Sequence, residues 1–117
     1  MKVITPNDGT FKMFPPPRFF PDARLNFAEN MFLNGPANKT ALIEAKEGGI
    51  DVKSVTYGEL WEKVQDLASA MRNFGIQKGD RVAAILSNSI TAFVISLATW
   101  SIGAIFSSSA CGITTLS

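Results

Sequence analysis

Histidine is absent from this chain, and cysteine occurs once, at Cys111. Without imidazole, these residues can form no Ser-His or Cys-His nucleophilic pair and no zinc site that depends on histidine. A single cysteine cannot close an internal disulfide, and the opening MKVITPNDGTFK lacks the apolar centre of a signal peptide. A reducing cytoplasm is therefore the expected compartment. An excess of either charge is missing as well: 11 Lys and Arg against 10 Asp and Glu leave a formal charge of +1, too weak a field to hold a nucleic acid or an anionic membrane. With 46% hydrophobic and 18% charged residues, the chain nevertheless has the composition of a folded protein, and 117 residues suffice for one domain or part of one.

The strongest depletion is local. From Val82 to Ser117, 36 residues pass without one Asp, Glu, Lys or Arg. Such a stretch belongs inside protein or inside lipid. Residues 90–106 are mostly apolar and only slightly shorter than a membrane-spanning helix. They also contain four hydroxyl residues, follow the breaker Ser87-Asn88-Ser89, end near Gly103 and lack basic anchors on their C-terminal side. A buried strand-helix-strand unit, covered on both faces, is the expected form, and membrane insertion is not.

Several segments carry clear local signals. Residues 11–22, FKMFPPPRFFPD, place apolar side chains among four prolines, the composition of an extended arm lying on a surface. LNFAENMFL reads as a short helix, with Asn26 as cap and Glu29 three residues on, and Gly35-Pro36 breaks the chain after it. TALIEA and IDVKSVT read as the strands of a hairpin turned at Gly48-Gly49. In TYGELWEKVQDLASAMRNFG, Thr56 and Glu59 have capping-box spacing, and Gly75 stands where a left-handed C-cap belongs. Between them Leu60, Val64, Leu67, Met71 and Phe74 recur every three or four residues, giving an amphipathic helix of about five turns. Its polar face, Glu62, Lys63, Gln65, Asp66 and Arg72, reads as a solvated surface with modest local pairing. Gly79 and Asp80 then turn the chain into the apolar run 82–86, Asn88 or Ser89 caps the segment that follows, and Gly103 ends it before AIFSSSA. Strand, helix and strand in that order make a parallel unit that normally sits in a larger sheet.

FFPDARLNFAENMFL, the hairpin leading into TYGELWEKVQDLASAMRNFGIQKGDRVAAILSNS, and TWSIGAIFSSSA together resemble the N-terminal part of the adenylate-forming acyl-CoA synthetases over residues 14–110. ARLNFAEN and IGAIFSSSA resemble the acetoacetyl-CoA synthetases (acetoacetate-CoA ligases) within that superfamily. The resemblance implies an α/β fold: a partial N-terminal subdomain with a Pro/aromatic arm, a β-hairpin and a strand-helix-strand unit. It divides the chain into an arm and short helix over residues 1–39 and the truncated start of an AMP-binding domain over residues 40–117. It also implies a two-step ligase, in which ATP and a carboxylic acid, here acetoacetate, give an acyl-adenylate and pyrophosphate, and the thiol of CoA then displaces AMP.

The family's Ser/Thr/Gly-rich phosphate loop, acidic metal- and ribose-holding segment and C-terminal lysine are not in this sequence; the resemblance would place the loop after residue 117. ATP, Mg²⁺ and CoA are thus implied for a full-length member, and no catalytic, cofactor-binding or metal residue is assigned to this chain. SSSACGITTLS has one glycine and no cation, so it reads as a strand end rather than a phosphate cradle. After Ala110 the family pattern is lost, which suggests a truncated gene model, an alternative transcript or a pseudogene-like remnant. The loop after this strand approaches CoA in related enzymes, but Cys111 and Gly112 do not match it and inherit no such role. The expected function is that of a ligase fragment inactive by itself. The alternative is a non-catalytic protein that docks a partner, such as a synthetase, through its charge-free C-terminal third.

Overall fold

A computed structural model of the chain describes residues 22–46, 48–49 and 51–111. The Pro/aromatic arm up to Pro21 and the tail 112–117 lie outside these described residues. Seven elements follow one another: α1 (Phe27–Leu33), β1 (Thr40–Ala45), β2 (Val52–Thr56), α2 (Tyr57–Asn73), β3 (Arg81–Leu86), α3 (Ile90–Ile102) and β4 (Ile105–Ala110). β1 and β2 form the expected antiparallel hairpin, with a register irregularity between Thr40 and Leu42. Gly48 and Gly49 turn it at φ 89° and 66°. β3 and β4 pair in parallel, Arg81 opposite Ile105 through Leu86 opposite Ala110, with α3 as the connection.

α3 lies at the centre, packed against α1, α2, β1 and β4. Its buried residues, Val94, Ser96, Leu97, Ala98 and Thr99, run around the helix rather than along one stripe, the pattern of a helix enclosed by protein. The hydroxyls are accommodated by back-bonding: Ser96 Oγ donates to the Phe93 carbonyl at 2.8 Å, Thr99 Oγ1 to Ile95 at 2.8 Å and Ser101 Oγ to Ala98 at 2.7 Å. Burial therefore strands no polar atom, and a charge-free segment with four hydroxyls fits a protein core. Among the described residues, no helix is long and apolar enough to cross a membrane.

Local capping follows the sequence signals closely. Asn26 caps α1 and Ser89, not Asn88, caps α3. At α2 the box is complete: Thr56 Oγ1 accepts from the Glu59 N–H at 3.3 Å, and the Thr56 N–H donates to Glu59 Oε2 at 2.8 Å. That N–H and the Thr56 hydroxyl hold the Glu59 carboxyl below its ordinary value of 4.5, with Lys63 one turn on adding to the effect. The folded-state value is the depressed one, so the stabilisation is present above the ordinary carboxylate range and lost as pH falls through the folded value. Glu59→Gln, which keeps an acceptor but does not titrate, should flatten the fall of Tm on acidification; an unchanged acid slope would remove Glu59 from the account.

Three expectations need correction. The C-cap of α2 is Phe74, in right-handed conformation, and Gly75 is the left-handed residue just beyond it at φ 100°. Bonds from Gly75 N–H to Arg72 O and from Ile76 N–H to Met71 O complete a Schellman ending, in which the glycine follows the cap. Phe74 is 89% exposed and outside the core; the helical stripe rotates with distance, so the buried line runs Leu60, Val64, Ala68, with Leu67 and Met71 half-buried beside it. The third correction concerns β3, which is covered on one face only. Val82, Ala84 and Leu86 are half-buried on the side of α3, while Ile85 on the opposite face is 74% exposed.

Candidate functional site

Two backbone turns align the strand-helix-strand unit. Gly79, at φ 91°, and Asp80 lead into β3, the Asp80 side chain accepts from the Gln77 N–H at 2.7 Å, and Gly79 N–H donates to the carbonyl of Gly103 at 3.0 Å. Ile105 N–H returns a bond to Asp80 O at 2.7 Å. The starts of β3 and β4 are thus held level, and their carboxyl ends open together beside the N-terminus of α3.

At those ends lies an open cleft of about 550 Å³, lined in part by Leu86, Asn88, Phe93, Trp100, Phe106 and Ser108. Carboxyl ends of parallel strands are where α/β folds usually take ligands. Trp100 meets Phe106 edge-on at 6.0 Å between ring centroids and Phe27 of α1 at 5.2 Å, so the floor is aromatic. The walls offer hydroxyls and one amide, and none of the lining residues carries a formal charge. A bare helix N-terminus would attract an anion here. Instead, Glu44 of β1 reaches across, and its carboxylate accepts the Ile90 N–H at 2.7 Å while Ser89 Oγ accepts from Ala92 at 3.2 Å. The Ile90 and Ala92 donors are occupied and a negative charge already stands at the positive end of α3, which disfavours a phosphate at that point.

A second cleft of about 390 Å³ separates α1 from the start of α2 and is lined by Phe32, Leu33, Tyr57 and Trp61, with Glu29 at its rim. Phe32 packs edge-on against Trp61 at 4.8 Å. Gly35 is pressed so closely to the Tyr57 ring that a Cβ would overlap it, and the Gly58 N–H donates to Ala37 O at 2.9 Å. Here the glycines serve close approach of loop and helix, a role that no turn signal reveals.

These arrangements pack helices, strands and loops against one another. Among the described residues, no group of three His, Cys, Asp or Glu could hold a metal ion. Neither cleft presents a cation for a phosphate chain, so the residues present do not fit ATP and Mg²⁺. Thr56, Glu59, Gly75, Gly79 and Asp80 shape elements, Leu60, Val64, Leu67 and Met71 pack them, and none lines the strand-end cleft. Ser107 and Ser109 are exposed on β4, and Cys111 is an exposed free thiol.

Comparison with known proteins gives this frame a context. The profile of the AMP-binding enzyme family matches residues 29–109. The acetoacetyl-CoA synthetase of Gallus gallus is 47% identical over 92 residues, which are 79% of this chain and 14% of that protein. Among solved structures, acetoacetyl-CoA synthetase from Streptomyces lividans superposes with a TM-score of 0.76 at 34% identity, over 83% of this chain and 15% of that one. The N-terminal subdomain of Klebsiella oxytoca NpsA superposes with a TM-score of 0.59 at 29% identity, over 71% of this chain and 20% of that one. The chain therefore spans about one seventh of the length of the curated relative it matches. Its mixed α/β fold is that of the N-terminal subdomain of adenylate-forming enzymes.

Proposed function

Because the chain belongs to the AMP-binding enzyme family, we propose that it forms the opening segment of an acid-CoA ligase that activates acetoacetate with ATP and passes the acyl group to CoA. The observation that carries this reading is the match to acetoacetyl-CoA synthetases in both sequence and backbone. Residues 40–117 are read as the start of the adenylation domain, with residues 1–39 in front of it and α1 among them. ATP, Mg²⁺ and CoA are assigned to parts of the protein outside this chain, a reading supported by the absence of a cation for a phosphate chain from both clefts described above. The role of residues 1–117 is to supply the two-strand start of a parallel sheet and its central helix. The single cysteine supports a reducing cytoplasm as the compartment.

The test is an assay of the native polypeptide, captured with an antibody against residues 40–80 and sized by mass spectrometry. Pyrophosphate release from ATP that depends on acetoacetate, with CoA releasing AMP and sustaining turnover, is the expected result. Release with a different short acid only would keep the ligase and overturn acetoacetate; no acid-dependent release would overturn the ligase. Purified residues 1–117 alone should release none.

A further inference from the structure

Of the seven asparagines in the chain, Asn34 alone is followed by glycine. It is the C-cap of α1 and stands exposed to water. In an open chain such a pair is chemically unstable, because a glycine nitrogen has no Cβ beside it to obstruct its attack on the asparagine side chain. The bond from Gly35 N to Asn34 Cγ forms, the bond from Cγ to Nδ2 breaks, and ammonia leaves with the proton of the Gly35 N–H. Water then opens the five-membered succinimide. Attack at Cγ gives aspartate in a normal main chain; attack at the main-chain carbonyl gives isoaspartate, whose main chain runs through Cγ.

The fold sets a geometric bar to this reaction. Ring closure needs the Gly35 nitrogen to eclipse Asn34 Cβ about the Cα–C bond. At ψ 4° it lies almost over the Asn34 nitrogen instead, about a third of a turn away, so the whole peptide plane must rotate. Three sets of contacts oppose that rotation. The Gly35 N–H donates to Phe32 O at 3.4 Å, and the Tyr57 ring fills the space where a Gly35 Cβ would stand. Beyond Pro36 the loop is tied to the start of α2, with Gly58 N–H on Ala37 O and Tyr57 N–H on Lys39 O, both at 2.9 Å. We propose that Asn34-Gly35 is a deamidation site held closed by the seat of Tyr57 on Gly35, and that it reacts when this loop lifts locally from α2. Isoaspartate inserts one more atom into the main chain between the Asn34 Cα and Gly35, so the ring no longer seats as before. The modified fraction therefore records the time that the loop has spent open.

The experiment incubates the whole native polypeptide at neutral pH and follows, by peptide mass spectrometry, the exchange of the side-chain NH₂ for OH at residue 34. Folded protein should react at least about tenfold more slowly than the same protein unfolded in urea, one decade being a modest cost for local opening. Tyr57→Ala should bring the folded rate to within about threefold of the unfolded one, whereas Tyr57→Phe, which keeps the ring, should leave it slow. Circular dichroism like that of the parent verifies the fold of the alanine variant. Low concentrations of urea give a reading without any substitution: local opening exposes little surface, so the parent should react below its global transition at a rate that barely depends on urea. No modification at residue 34 in the unfolded sample, or equal folded and unfolded rates, would overturn the proposal. So would a folded alanine variant as slow as the parent, or a parent rate that follows global unfolding alone.

Discussion

Leu97→Ala should lower the unfolding free energy of the chain by about 2–5 kcal/mol, the range for emptying a fully enclosed leucine site. Leu97 is 0% exposed at the centre of α3, in one cluster with Ala28, Leu60, Val64, Ala68, Val94 and Ala98. Those neighbours come from three helices, so the vacated volume cannot be refilled by a shift of one of them. Against a typical stability of roughly 5–15 kcal/mol for a domain, the loss is a large share. Phe74→Ala provides the contrast: the side chain is bigger but 89% exposed, and its removal should stay within about 0.5 kcal/mol. Urea unfolding followed by tryptophan fluorescence decides the matter, and equal losses at the two sites would contradict the packing described.

The second large effect is expected at Asn26. Its side-chain oxygen accepts the Glu29 N–H at 3.3 Å and so caps α1, while its amide nitrogen donates to the carbonyls of Trp100 and Ser101 at 3.2 and 3.3 Å. One residue therefore closes the start of α1 and ties it to the end of α3. Removal of the cap costs about 1 kcal/mol and loss of the two bonds about 0.5–1.5 kcal/mol each, so Asn26→Ala should destabilise by roughly 2–4 kcal/mol. Asn26→Asp separates the two roles, because it keeps the cap acceptor and turns a carboxylate toward two carbonyls. If the aspartate variant melts like the parent chain, the tie to α3 contributes nothing.

The same residue shows how far the sequence could be read. Asn26 three residues before Glu29, Thr56 before Glu59 and Ser89 before Ala92 are local signals, and all three became caps. Gly48, Gly49, Gly75, Gly79 and Gly103 all have positive φ, as their places after regular segments imply. Contacts between distant residues left no comparable trace: the Asn26 bonds to Trp100 and Ser101, and the Glu44 carboxylate on the Ile90 N–H, 46 residues away. Gly35 beside Tyr57 was equally silent, because a glycine needed for close approach looks like any loop glycine. The strand-helix-strand unit was legible, but the cleft at its strand ends and the carboxylate beside it were not, since that carboxylate arrives from the hairpin. The bare face of β3 was misread because a continuous apolar run announces cover on both sides and cannot say whether these residues provide it.

The tie between Asn26 and α3 also sets an order of events during synthesis. Its two acceptors are 74 and 75 residues further along the chain. At about 5–20 residues per second, roughly 4–15 seconds pass between the emergence of α1 and that of the carbonyls that hold it. A seven-residue helix cannot persist alone for that time. Phe27 therefore leaves the ribosome without its aromatic partner, open to chaperones, until Trp100 in the last turn of α3 arrives to receive it.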